Sequence, residues 1–76
     1  MEELITILEG VKPGVDFRNN QDLIGSGAIK SLDMLVIIGQ LMQEYELDIP
    51  TEEILPENFK SAESIYALIE RLQKEE

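Results

Sequence analysis

Apolar residues recur at helical spacing in three stretches of the chain. Leu4, Ile7, Leu8 and Val11 fall at i, i+3, i+4 and i+7, the stripe of an amphipathic helix. Glu2 and Glu3 stand in its first turn, where acidic charge suits the positive end of the helix dipole. Gly10 and then Pro13-Gly14 are expected to end it. A second helix is predicted from Ser31 to about Glu46, with Ser31 as N-cap and Asp33 in the first turn. Met34, Ile38, Leu41 and Tyr45 mark one face, and Ile37 widens it. Leu32, Leu35, Val36 and Met42 spread over the remainder. A helix apolar on more than one side is either central or meets another protein. Ser61 is expected to cap a third helix, in which Ile65, Leu68, Ile69 and Leu72 repeat the stripe.

The connections carry their own signals. Residues 12–30 lack periodicity and are punctuated by Pro13, Gly14, Asn19, Asn20, Gly25 and Gly27. Val15, Phe17, Leu23, Ile24 and Ile29 are apolar anchors that argue for an ordered segment, and loops this long are usually functional when ordered. Leu47-Asp48-Ile49-Pro50 reads as an extended exit, because the residue before a proline avoids the helical region. Thr51 to Leu55 is expected to form one helical turn stopped by Pro56. No strand-like alternation, repeat or low-complexity tract is present. The predicted fold is all-α: a small four-helix bundle of three main helices plus one short helix, with a long first loop, as a single domain over residues 1–76.

Composition narrows the chemistry. The chain has 76 residues, 43% of them hydrophobic, so its core is thin. There is no Cys and no His, which removes thiolate nucleophiles, the usual general base and the commonest metal ligands. Sixteen acidic residues against six basic give a net charge of −10, which repels nucleic acid and anionic membranes and favours a soluble monomer. The longest apolar run, Met34 to Ile38, is far short of a membrane span. Met1-Glu2-Glu3 lacks the basic start of a secretory signal, so the cytoplasm is the default expectation. No enzyme, zinc or EF-hand pattern is present. Gly25-Ser26-Gly27 resembles part of a phosphate loop but lacks the Lys-Ser/Thr ending, and reads as a flexible turn. The acids Glu44, Glu46, Asp48, Glu52, Glu53 and Glu57 read as a solvated acidic face rather than a metal site. Neither catalytic nor metal-ligating residues are expected.

Ser31 is the remaining candidate for chemistry. The stretch Leu23-Ile24-Gly25-Ser26-Gly27-Ala28-Ile29-Lys30-Ser31-Leu32-Asp33 resembles the start of the second helix in acyl carrier proteins of the phosphopantetheine-binding family, which have Leu, then Gly, then Asp-Ser-Leu or Asp-Ser-Met. Tyr45-Glu46-Leu47-Asp48-Ile49-Pro50 is similar to that family's helix exit. Phe59 and Ser61-Ala62-Glu63-Ser64-Ile65 resemble the opening of its last helix. The four-residue step from Gly27 to Ser31 leans toward the D-alanyl-carrier-like, free-standing bacterial branch.

The resemblance implies an acyl-carrier-like fold and a non-enzymatic carrier. Ser31 is then the attachment point of covalent 4′-phosphopantetheine, taken from coenzyme A through a phosphopantetheinyl transferase. Its thiol carries an acyl or aminoacyl group as a thioester, the sulfur belonging to the cofactor rather than the chain. The other implied partners are a loading ligase and acyl-accepting enzymes with basic patches. Asp33, Glu44, Glu46 and Asp48 are the acidic contacts, and Leu32, Leu35, Val36 and Gly39 the apolar centre of the same surface. For Leu35 and Val36 the alternative is plain core packing; for Gly39 it is close approach of a neighbouring helix. One departure stands out. The family's Asp before the serine is Lys30 here, which reverses the local charge and leaves open a carrier-like interaction module that is never modified.

Overall fold

The structure, a computed structural model, describes residues 1–75. Helix α1 spans Glu2–Val11, α2 spans Ser31–Tyr45 and α3 spans Ala62–Glu75. Among the described residues no strand occurs, so the fold is all-helical. The expected fourth helix is not an α-helix. Its place is taken by two single 3-10 turns, Thr51–Glu53 and Pro56–Phe59. Pro56 does not stop a helix but starts the second turn, where its fixed φ and missing N–H are tolerated.

The core draws on every element. From α1 it takes Leu4, Ile5 and Leu8; Ile7 and Val11 are only half-buried, so the buried stripe is rotated by one position from the expected one. Gly10 lies inside α1 rather than ending it. From α2 the core takes Ile37, Ile38 and Leu41, while Met34 and Tyr45 are half-buried. From α3 it takes Ala62, Ile65, Leu68, Ile69 and Leu72, the whole expected stripe. Ser61 caps α3 as its spacing predicted: its Oγ accepts the Ser64 backbone N–H at 3.2 Å, in a nearly fully buried position.

The long first loop is pinned by its apolar anchors. Phe17, Leu23 and Ile29 are buried, and Val15, Ile24 and Ala28 pack against the core at partial burial. The Leu23 N–H donates to the Lys60 carbonyl at 2.8 Å, tying the loop to the residue before Ser61. The Ile29 N–H donates back to the Leu23 carbonyl at 3.1 Å, closing residues 23–29 into a compact turn. Gly27 sits in that turn at φ +81°, where a side chain is disfavoured. The loop is thus a built element that delivers the chain to Ser31.

Beyond α2, Glu46 adopts the left-handed conformation (φ 50°, ψ 49°) and the Leu47 N–H donates to the Met42 carbonyl at 3.2 Å. Leu47 and Ile49 then point into the core while Asp48 stays exposed, the alternation of an extended strand of chain. No helix among the described residues is long and apolar enough to cross a membrane.

Candidate functional site

Ser31 is the first residue of α2, and the N-cap position ahead of it belongs to Lys30. This corrects the expectation that Ser31 is itself the cap. Lys30 has extended backbone (φ −120°, ψ 178°), and its carbonyl accepts the Met34 N–H at 2.9 Å, as an N-cap carbonyl should. Its side chain has no acceptor atom, so it cannot complete a capping box. The reciprocal half is made: Asp33 Oδ2 accepts the Lys30 backbone N–H at 3.0 Å. Relieved of capping, Ser31 is exposed, and among the described residues its hydroxyl has no hydrogen-bond partner.

Asp33 is held from a second side. Lys12, just past the end of α1, places Nζ 3.1 Å from Asp33 Oδ2. The hydrogen bond from Lys30, and then the Lys12 ammonium, keep the Asp33 carboxyl below its ordinary range. The ion pair between Lys12 and Asp33 joins the exit of α1 to the entrance of α2. No sequence signal marked Lys12, because the pairing exists only once the loop has folded back.

Three charges are therefore tied to the first turn of α2: Lys12, Lys30 and Asp33. Lys12 offsets Asp33, and the Lys30 ammonium makes no ion pair among the described residues. A helix start leaves N–H groups without intrahelical acceptors, and those of Ser31 and Leu32 are in this condition. The surroundings of the Ser31 hydroxyl thus fit an esterified phosphate: unpaired N–H donors, the positive end of the dipole and a free ammonium on the preceding residue.

The face of α2 beside Ser31 is apolar. Leu32 is 77% exposed, Leu35 61% and Val36 54%, so Leu35 and Val36 are not core. With Gly39 they recur at i, i+3, i+4 and i+7 on the side turned away from Ile37, Ile38 and Leu41. Apart from the neighbouring backbone of α2 itself, no heavy atom lies within 4 Å of where a Cβ on Gly39 would stand, so no neighbouring helix explains that glycine. The structure gathers Ser31, Leu32, Asp33, Leu35 and Val36 on the first turns of α2. It does not gather Glu44, Glu46 and Asp48 with them. Those acids are exposed at the other end, Glu44 about 20 Å from Ser31 at 1.5 Å per residue. Among the described residues no three His, Cys, Asp or Glu side chains converge as metal ligands do.

Among the described residues, the fold and site together define a small all-helical domain with an exposed, unpartnered serine at the head of its middle helix. No protein-family model, no curated protein and no solved structure matches the chain.

Proposed function

We propose that the chain is an acyl carrier protein whose Ser31 bears 4′-phosphopantetheine, and that it acts as a shuttle rather than an enzyme. The observation that carries this reading is the Ser31 hydroxyl, exposed and, among the described residues, without a partner at the first position of α2. Ser61 gives the contrast, since its hydroxyl is engaged in capping α3 and that of Ser31 is left open to modification. The motif order from Leu23 to Asp33, and onward to Pro50 and Ile65, supports the same reading.

The residues of the chain have separable parts. Ser31 Oγ is the nucleophile: a transferase would take its proton, and the oxygen would attack the pantetheine-bearing phosphorus of the coenzyme A pyrophosphate. The P–O–P bridge would break to release adenosine 3′,5′-bisphosphate and leave a phosphodiester on Ser31. The N–H groups of the first turn and Lys30 offset the negative charge that remains there. Asp33 fixes the entrance of α2 by holding both the Lys30 backbone and Lys12. Leu32, Leu35 and Val36 offer partners an apolar contact next to the attachment point. The bound group supplies the thiol that a chain without Cys lacks, and with it thioester carriage of an acyl or aminoacyl cargo. The D-alanyl-carrier-like branch, a loading ligase and a cytoplasmic setting belong to this proposal.

Intact mass tests it. Incubation with coenzyme A, magnesium and a broad-specificity phosphopantetheinyl transferase should add one phosphopantetheinyl group, and Ser31→Ala should abolish the gain. A chain that never gains the group, even as Lys30→Asp, would not be a carrier of this kind.

The Lys30 ammonium, unpaired among the described residues, favours a second reading, the unmodified interaction module. It predicts that the natural chain stays unlabelled under conditions where Lys30→Asp is labelled.

A further inference from the structure

Charge on α2 runs the same way as the backbone dipole of that helix. Helices are stabilised by acids in the first turn and bases in the last. In α2 the first-turn acid, Asp33, is met by Lys12, and the N-cap cation Lys30 remains unpaired among the described residues. The last turn holds no base. Instead Glu44 lies in it, Glu46 is the C-cap and Asp48 follows, all three exposed and without an ion pair among the described residues. Apart from Asp33, each charge thus stands at the end where it works against the helix. Between the two ends runs the exposed stripe of Leu32, Leu35, Val36 and Gly39. Read along its axis, α2 has an exposed cation at its N-cap, then two turns bearing the exposed apolar stripe, then exposed anions in its last turn and beyond its end.

We infer that the protein partner that docks along α2 is bipolar. It carries an acidic side chain opposite Lys30, an apolar socket for Leu32, Leu35 and Val36, and basic side chains opposite Glu46 and Asp48. The inference deepens the carrier reading, and rests on it for taking the partner to be an enzyme that acts at Ser31. A partner with a uniformly basic patch meets Lys30 with like charge at the attachment point, which is costly where the contact is dry. A second copy of the chain fits poorly. An antiparallel pairing of two α2 helices that sets Lys30 against Asp48 also sets Leu32 against Glu46, and each chain brings a charge of −10.

The test is a charge swap across the contact. The probe is a broad-specificity phosphopantetheinyl transferase in two forms: unaltered, and with the basic residue that faces the position before the serine replaced by Glu. The chain is used unaltered and as Lys30→Glu, each checked for its helical circular dichroism. Labelling kcat/KM is read by intact mass, and Kd is read by titration without coenzyme A. The two charge-matched pairings should exceed the two mismatched ones by about 10-fold in both quantities, with the margin shrinking at high salt. Leu35→Ala should weaken binding in every pairing while lowering its melting temperature by less than about 8 °C.

If all four pairings agree within about two-fold while labelling proceeds, the bipolar partner is refuted and the carrier reading stands. If matched pairs bind more tightly but Ser31 is never labelled, the surface stands and the carrier reading falls. If neither binding nor labelling occurs, both fall. A dimer in analytical ultracentrifugation that Leu35→Ala dissolves would make a second copy the occupant and overturn the inference.

Discussion

Leu35 and Leu41 stand six residues apart on one helix, about 120° apart around its axis, one exposed and one buried, so truncating each tests which side of α2 is core. Leu41 is fully buried, and Leu41→Ala removes its packing and leaves a cavity, at a cost of about 2–5 kcal/mol. A domain of this size has a total stability of only about 4–11 kcal/mol, at roughly 0.05–0.15 kcal/mol per residue. Leu35 is 61% exposed, so about two-fifths of the residue is withdrawn from water. Scaling a full burial value of about 1.5–3 kcal/mol by that fraction leaves about 1 kcal/mol at most, and the better helix propensity of Ala offsets part of it. At about 4–8 °C per kcal/mol, a loss of about 3 kcal/mol at Leu41 lowers the melting temperature by roughly 12–24 °C. On the same scale Leu35→Ala lowers it by less than about 8 °C. Thermal and urea melts followed by circular dichroism measure both. A Leu35→Ala variant as damaged as Leu41→Ala would put Leu35 in the core and remove the apolar contact surface with it.

Gly39→Ala should raise stability by about 1 kcal/mol, since the site is a helix interior with open space around it; a fall in urea midpoint would reveal an unsuspected neighbour. Ser61→Ala should lose about 1 kcal/mol, because the Ser64 N–H is left without its acceptor in a buried cap. Acid titration has a defined sign. The Asp33 carboxyl is lowered by the hydrogen bond from Lys30 and by Lys12, and Glu53 by its hydrogen bond from Arg71. Carboxyls lowered in the folded state contribute stability above their ordinary values near pH 4, and that contribution is lost as pH falls through the lowered ones. Urea melts taken from pH 6 to pH 3 should therefore show a smaller loss in Lys12→Gln and Arg71→Gln than in the parent, and an equal loss would deny these pairs their part in acid sensitivity.

Periodicity recovered the helices unequally, for reasons visible in the residues. In α3 one face alone is apolar, so Ile65, Leu68, Ile69 and Leu72 could fall only where they did. In α1 two overlapping stripes are available, one with Ile5 and one with Ile7, and which is buried depends on what α1 packs against. In α2 apolar residues surround the helix, so no period chooses between Ile37 and Leu35; only the tertiary fold buries one and leaves the other exposed. The single turn expected at Thr51 to Leu55 is present as the 3-10 turn Thr51–Glu53, whereas the turn Pro56–Phe59 was missed because Pro56 can begin an element as well as end one. At the site, the loop anchors Phe17, Leu23 and Ile29 were legible as apolar residues in a polar stretch. The cap was not, because lysine is not a capping residue and the backbone, not the side chain, fills the role. The ion pair of Lys12 with Asp33 joins residues far apart in sequence, and no local rule predicts it.

The features that cost α2 stability are not scattered over it. Gly39 stands where Ala would be better by about 1 kcal/mol. Glu46 holds the left-handed C-cap, a conformation that costs a non-glycine residue about 1–2 kcal/mol. Lys30 and the acids at the far end oppose the dipole. Leu32 leaves most of its surface in water. All lie on the outward face or at the two ends that bound it, whereas the inward positions Ile37, Ile38 and Leu41 follow ordinary packing. A helix selected for stability alone would carry Ala at 39, Gly at 46 and the opposite charge order. Local departures that line up along one exposed surface, next to a serine freed from capping, mark that surface as the part of the molecule shaped by something other than folding.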